Sequence, residues 1–332
     1  MKKFFAVILS LSLIVCITAC SSTVASPFDR SGFLQETSVK TVANVSETNE
    51  YSVSFSKAEK PEVDLDFTFS EEPSYLKTYL SVYESDGEIG EAGKKYYLFK
   101  TELSLNGTYS FKGETADVAD RIETEVYFCP VGEELRPVYS KRTAVATSPE
   151  GNASKIEFIK YGYTYEIKYN GGNASVSLKK DVLSYETYSA PNEYVLENVF
   201  ENNYIDNEQI LFAPRAMTLS DLSATFKTVD ALSKTARDMK LKFTEEETVK
   251  FEEKTSRRAI GGKSAFSEYR SSVKVAKLSL SINSSYAGAE HTLYFAAQTE
   301  ANEYQRLIKA EYPAAYGSGS FIFELINSSI EF

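Results

Sequence analysis

Tryptophan is absent from the 332 residues, histidine occurs once (His291), and there are only three cysteines and three methionines. A single histidine removes the usual zinc sites, which gather several imidazoles or thiolates at one point. It also leaves a Ser-His-Asp apparatus only one candidate base, and no Gly-x-Ser-x-Gly elbow occurs in the chain. Basic charge is scarce too: 36 Lys and Arg stand against 47 Asp and Glu, for a formal net charge of −11. Such a surface repels phosphate backbones, which argues against nucleic acid as a partner. The missing tryptophan also counts mildly against a sugar-stacking platform. What the chain does have is 23 Tyr and 21 Phe, which suits long strands with one half-wet face.

The longest apolar run is at the start. Lys2 and Lys3 precede a nearly unbroken apolar stretch from Phe4 to Val15, too short to span a bilayer stably and followed soon by Ser21-Ser22-Thr23. This pattern predicts a signal peptide over residues 1–19. Ile17-Thr18-Ala19-Cys20 has the aliphatic, small, small, Cys order that resembles a bacterial lipobox. The resemblance implies a mature chain beginning at Cys20, a diacylglyceryl thioether on its sulfur, and an extracytoplasmic location with the acyl chains holding the protein to the cell membrane. The alternative is an ordinary signal peptide with an incidental cysteine. Loss of Lys2 and Lys3 makes the remaining chain more acidic still, so the acyl anchor carries membrane attachment alone.

Residues 20–48 lack clear periodicity and read as a tether, and 49–332 as the β-rich body, either one unit or two sub-domains dividing near 185–205. From Tyr51 onward the dominant period is two: Tyr51, Val53 and Phe55 alternate with serines, and Val63, Leu65, Phe67 and Phe69 with Asp64, Asp66 and Thr68. The same alternation predicts strands over 75–84, 95–105, 107–113, 121–129, 137–146, 154–160, 163–169 and 174–179. Turn chemistry at Asp86-Gly87, Asn106-Gly107, Pro149 to Asn152 and Asn170-Gly171-Gly172-Asn173 predicts hairpins between them. A short helix is expected near 207–213, with Asn207 as N-cap and Pro214 kinking or ending it. Strands resume over 222–229, 239–244, 248–253, 271–282, 291–297, 306–312 and 320–332, with an exposed polar loop over 254–263. The fold class is therefore mainly β: a large curved antiparallel up-and-down sheet or half-barrel with one short helix.

Several segments of the body are similar to a family of exported bacterial envelope proteins defined only as a domain of unknown function. They are Leu135-Arg136-Pro137-Val138-Tyr139, the stretch from Asp206 to Met217, Thr292-Leu293-Tyr294-Phe295, Tyr316-Gly317 and Phe323-Glu324-Leu325. The likeness covers about residue 120 to the C-terminus. It departs at Pro214, at Ala216 and in the absence of a tryptophan opening the late strand. It implies a curved antiparallel sheet wrapped around a helix or a lipid, as in lipoprotein carriers of the LolA type, and says nothing of catalysis.

No residue set names a reaction. Cys129, in an apolar strand-like run, is left without an intramolecular partner and reads as a buried inert thiol. His291 opens a strand and reads as a half-buried structural histidine. Gly262-Lys263-Ser264 mimics the end of a phosphate loop, but Arg257 stands where the first glycine belongs. Glu71-Glu72, Glu133-Glu134, Glu245-Glu246-Glu247 and Glu252-Glu253 read as solvated charge. A cell-wall or polysaccharide hydrolase would need two carboxylates facing across a cleft, and neighbouring strand residues point to opposite faces. No metal site, cofactor or catalytic residue is predicted. The expectation is a non-catalytic envelope lipoprotein that binds a hydrophobic or amphiphilic ligand, or an envelope partner, in a Phe- and Leu-lined slot. The alternatives are a structural or adhesive surface module whose sheet fills its own interior, or that hydrolase.

Overall fold

The computed structural model describes residues 27–28, 42, 44–182, 187–188, 192–197, 203–250, 258–260, 263–265, 272–282, 290–297 and 305–331. Cys20 and the signal segment lie outside them. The period-two pattern becomes two runs of strands. The first holds β1 (Ser46–Lys57), β2 (Asp66–Phe69), β3 (Tyr75–Glu84), β4 (Lys95–Phe111), β5 (Glu114–Phe128), β6 (Pro137–Asn152), β7 (Lys155–Asn170), β8 (Asn173–Val182), β9 (Thr187–Tyr188) and β10 (Asn192–Leu196). The second holds β11 (Ser223–Asp230), β12 (Thr235–Lys250), β13 (Arg258–Ile260), β14 (Lys263–Ala265), β15 (Ser272–Ile282), β16 (His291–Ala296), β17 (Leu307–Pro313) and β18 (Gly319–Glu331).

Sixteen of these form one antiparallel sheet in the order β10-β8-β7-β6-β5-β4-β3-β1-β18-β17-β16-β15-β12-β11, with β2 added to β4 and β9 to β8; β13 and β14 pair only with each other. The order is a meander with one long-range junction, where the first strand lies beside the last from Ser46↔Glu331 to Lys57↔Gly319. Outer strands β10 and β11 approach each other without forming a ladder. Tyr194 Oη donates to the Ala231 carbonyl at 2.7 Å, and the chain at Asn203–Ile205 bonds in parallel to Lys227. The sheet is thus a curled half-barrel whose seam is bridged by a tyrosine and by the segment that crosses from one wing to the other. Burying one face of each strand against this crossover supplies the main core, which runs from Tyr51 and Phe99 through Ile205, Phe212 and Met217 to Phe226, Leu278 and Phe295.

Several sequence expectations change. The helix near 207–213 takes the form of two 3-10 turns, Glu208–Leu211 and Ala213–Ala216, with Pro214 inside the second. The Asn207 side chain makes no capping bond; Asp206 does, accepting from the Glu208 N–H while its own N–H donates to Gln209 Oε1, a reciprocal cap. Asn106-Gly107 is not a hairpin: β4 runs straight through it, and there its neighbour changes from β3 to β2. A Cβ on Gly107 would press into the Thr68 carbonyl and the Phe67 ring, so glycine is needed for close strand approach rather than for a turn. The chain turns instead at Lys112-Gly113, both at positive φ. Likewise β7 is one strand through Gly162, and the loop over 254–263 contains β13 and the start of β14. The hairpin at Asn170-Gly171-Gly172-Asn173 is as expected. Of the stretch read as a tether, Phe28 bridges to Met217 and packs at a tilt against the Phe226 ring, and β1 begins at Ser46.

Candidate functional site: an apolar slot against a charged crossover

The crossover is fastened to the half-barrel by polar ties. Tyr169 on β7 donates to Asp206 Oδ2 at 2.7 Å, and Gln209 Nε2 donates to the Leu135 carbonyl at 2.5 Å. Arg215 Nη1 reaches both oxygens of Glu47 on β1 at 2.8 and 2.9 Å. Gln305 Nε2 bonds the Met217 carbonyl at 3.0 Å, and Arg142 on β6 pairs with Glu208. Strand parity explains the inward charges: Glu47 shares its face with Asn49, Tyr51 and Val53, and Arg142 shares its face with Ser140 and Ala144.

The two ion pairs differ in access. The Arg215 and Glu47 side chains are 4% and 2% exposed, whereas those of Arg142 and Glu208 are 18% and 21% exposed. The second pair stands at one side of a cavity of about 270 Å³ between the crossover and the inner faces of β3 to β6, β17 and β18. Leu103, Leu105, Ile122, Leu211, Phe321 and Phe323 line its walls, with Tyr312 beside the charged end. Phe321 also joins the slot to an aromatic cluster with Phe67 and Tyr109, with Phe67 5.0 Å from Tyr109 and 5.1 Å from Phe321 between ring centres.

Burial opposes the charge on Arg142, and Glu208 more than offsets it, so the guanidinium is held ionised. Its Nε is buried without a hydrogen-bond partner among the described residues. Asp206, two residues from Glu208, is pushed above the usual carboxylate range by burial, against the bonds from Tyr169 and the Glu208 N–H. Tyr312 is likewise pushed up by burial, with Glu208 adding to it.

A second depression, polar, lies at the rim where the connections after β3, β5 and β7 gather beside Asn203 and Tyr204. Cys129 lies here, fully buried, its thiol pushed up to about 11 by burial, so thiolate is scarce at neutral pH. Glu133 bonds Lys94 and Arg136; burial works against its ionisation, yet these bonds hold its carboxyl below the usual range. Glu245 and Glu247 both face Lys277. His291 packs on Tyr312 at 4.9 Å between ring centres, and burial pushes its imidazole down. Lys263 and Ser264 fall in β14; Arg257, Gly262 and the Glu252-Glu253 pair lie outside the described residues, as does Cys20.

The sequence reading named no slot residue beyond its Phe and Leu character and missed Arg142, Glu208, Glu47 and Arg215. For Glu47 and Arg142 the available signal was an in-phase position among buried neighbours on the same strand face; Glu208 and Arg215 lie in the 3-10 turns, which carry no such period. No helix among the described residues is long and apolar enough to cross a membrane. No protein-family model, no curated protein and no solved structure matches the chain.

Proposed function

We propose that this chain is a non-catalytic, lipid-anchored protein of the bacterial cell envelope that holds an apolar chain of its ligand inside the half-barrel. The observation that carries the reading is the slot: apolar and aromatic walls from five strands and the crossover, left unfilled between two buried clusters. Its volume of about 270 Å³ lies just below the usual range for small-molecule sites. It accommodates roughly nine methylenes if each takes the ~30 Å³ of a liquid water. The lipobox ending at Cys20 supports the membrane location, which would place the slot beside a source of such chains.

Two measurements test this. Titrating a fluorescent fatty-acid probe into the chain from residue 21 onward should give saturable binding; none up to about 10 μM, with the protein folded by circular dichroism, removes the ligand-holding role. In cells, Cys20→Ala should abolish labelling by an alkyne fatty acid and release the protein from the membrane fraction. Labelling equal to the unaltered chain removes the anchor.

A further inference from the structure

We infer that the slot selects single-chain amphiphiles with an anionic head, and that the head takes the place of Glu208 on Arg142. The inference rests on the slot holding an apolar chain, as proposed above, and adds the chemistry of the head.

Three observations carry it. First, the charged group fixed in the slot wall is a cation: Arg142 projects from the middle of β6, a strand paired on both sides, with Tyr163 beneath its guanidinium at 6.0 Å. Second, the guanidinium is incompletely used. Glu208 occupies Nη1, while Nε is buried without a partner among the described residues. A guanidinium in an apolar wall with its Nε unmet favours a planar oxyanion, because carboxylate and phosphate geometry matches its fork of N–H donors. Third, Glu208 is replaceable in place. It stands at the start of a 3-10 turn, and its side chain is 21% exposed, so a rotamer change carries its carboxylate to water without unbuilding the crossover. The turn remains held by the Asp206–Gln209 cap and by the bond from Gln209 to the Leu135 carbonyl. In the free protein Glu208 acts as a stand-in for the ligand's head, which keeps the buried arginine neutralised.

A cationic head would meet Arg142 directly, and an uncharged head would leave the ion pair in place and gain nothing from it. Discrimination by head charge is therefore expected to exceed the change in affinity from one added methylene.

The test is calorimetric titration of the chain from residue 21 onward with decanoate, decyl phosphate, decanol and decyltrimethylammonium. Circular dichroism confirms that each variant is folded. At least one of the two anions should bind about tenfold or more tightly than decanol, and the ammonium should bind least; which anion binds separates a fatty-acid from a phosphate source. Arg142→Met should bring the ratio of anion to decanol affinity close to one. Glu208→Gln should tighten the anion several-fold and raise the ratio of anion to decanol affinity. If Arg142→Met does not fold, Glu208→Gln decides alone, because removing a merely structural partner of Arg142 would not improve anion binding. Equal binding of anions and decanol, or an anion preference insensitive to both substitutions, overturns the head assignment and leaves the apolar-chain reading intact. Failure of all four probes overturns both.

Discussion

The two Arg–Glu pairs that pin the crossover to the sheet have the same chemistry and opposite surroundings. Arg215 and Glu47 are sealed, stacked on Phe212 and continued by Asn49, which donates to Glu47 and to Thr78 and accepts from Ser328. Arg142 and Glu208 border an open slot. The contrast separates two uses of a buried charge. Where the pair is shut away from water, it fixes register and cannot be exchanged. Where water is near, it is available for exchange.

Breaking the sealed pair should have the larger effect. Arg215→Ala leaves Glu47 buried with an uncompensated charge and should cost about 3–5 kcal/mol in urea unfolding. Arg142→Ala should cost about 1–2 kcal/mol, because Glu208 can turn to water. Equal losses at the two sites would remove the distinction.

A smaller effect should appear with pH. Burial raises Asp206 in the folded state, so between the ordinary Asp value of 3.8 and the raised one the folded chain binds more protons than the unfolded chain. Stability should therefore fall as pH rises through that window. Asp120, raised by burial in the same direction, contributes to the same slope. Asp206→Asn keeps an acceptor for the Glu208 N–H and should flatten the decline, Asp120 supplying what remains. An unchanged slope in pH-dependent urea midpoints would show that the ground around the slot-side pair is not electrostatically strained.

Much of the sheet was legible because strand alternation is local. β3 matches its predicted bounds, and the Asn170-Gly171-Gly172-Asn173 hairpin closes where its glycines require. What failed was non-local. Asn106-Gly107 carries a hairpin signal, yet it marks where one partner strand replaces another, which depends on β2 and β3 arriving from elsewhere. The bulges at Ile326 in β18, opposite Glu50 and Tyr51, and at Thr244 in β12 reset strand parity without a glycine or proline to announce them. The inward charges were read as solvated by default. Glu47 and Arg142 are recognisable only once the face they share with buried neighbours is known, and their partners lie more than sixty residues away.

The pairing of the first strand with the last also governs how the protein is made. Every other long ladder joins strands close in sequence, so hairpins on each wing can form as soon as they are synthesised. The β1 edge, at the centre of the finished sheet, waits for residues 319–331, which are synthesised long after it. Until then the molecule is two open half-sheets with bare inner edges, the form most prone to pairing with another chain. A polypeptide built this way gains from being kept unfolded until it is whole, and a premature stop before β18 should yield aggregate rather than a shortened barrel.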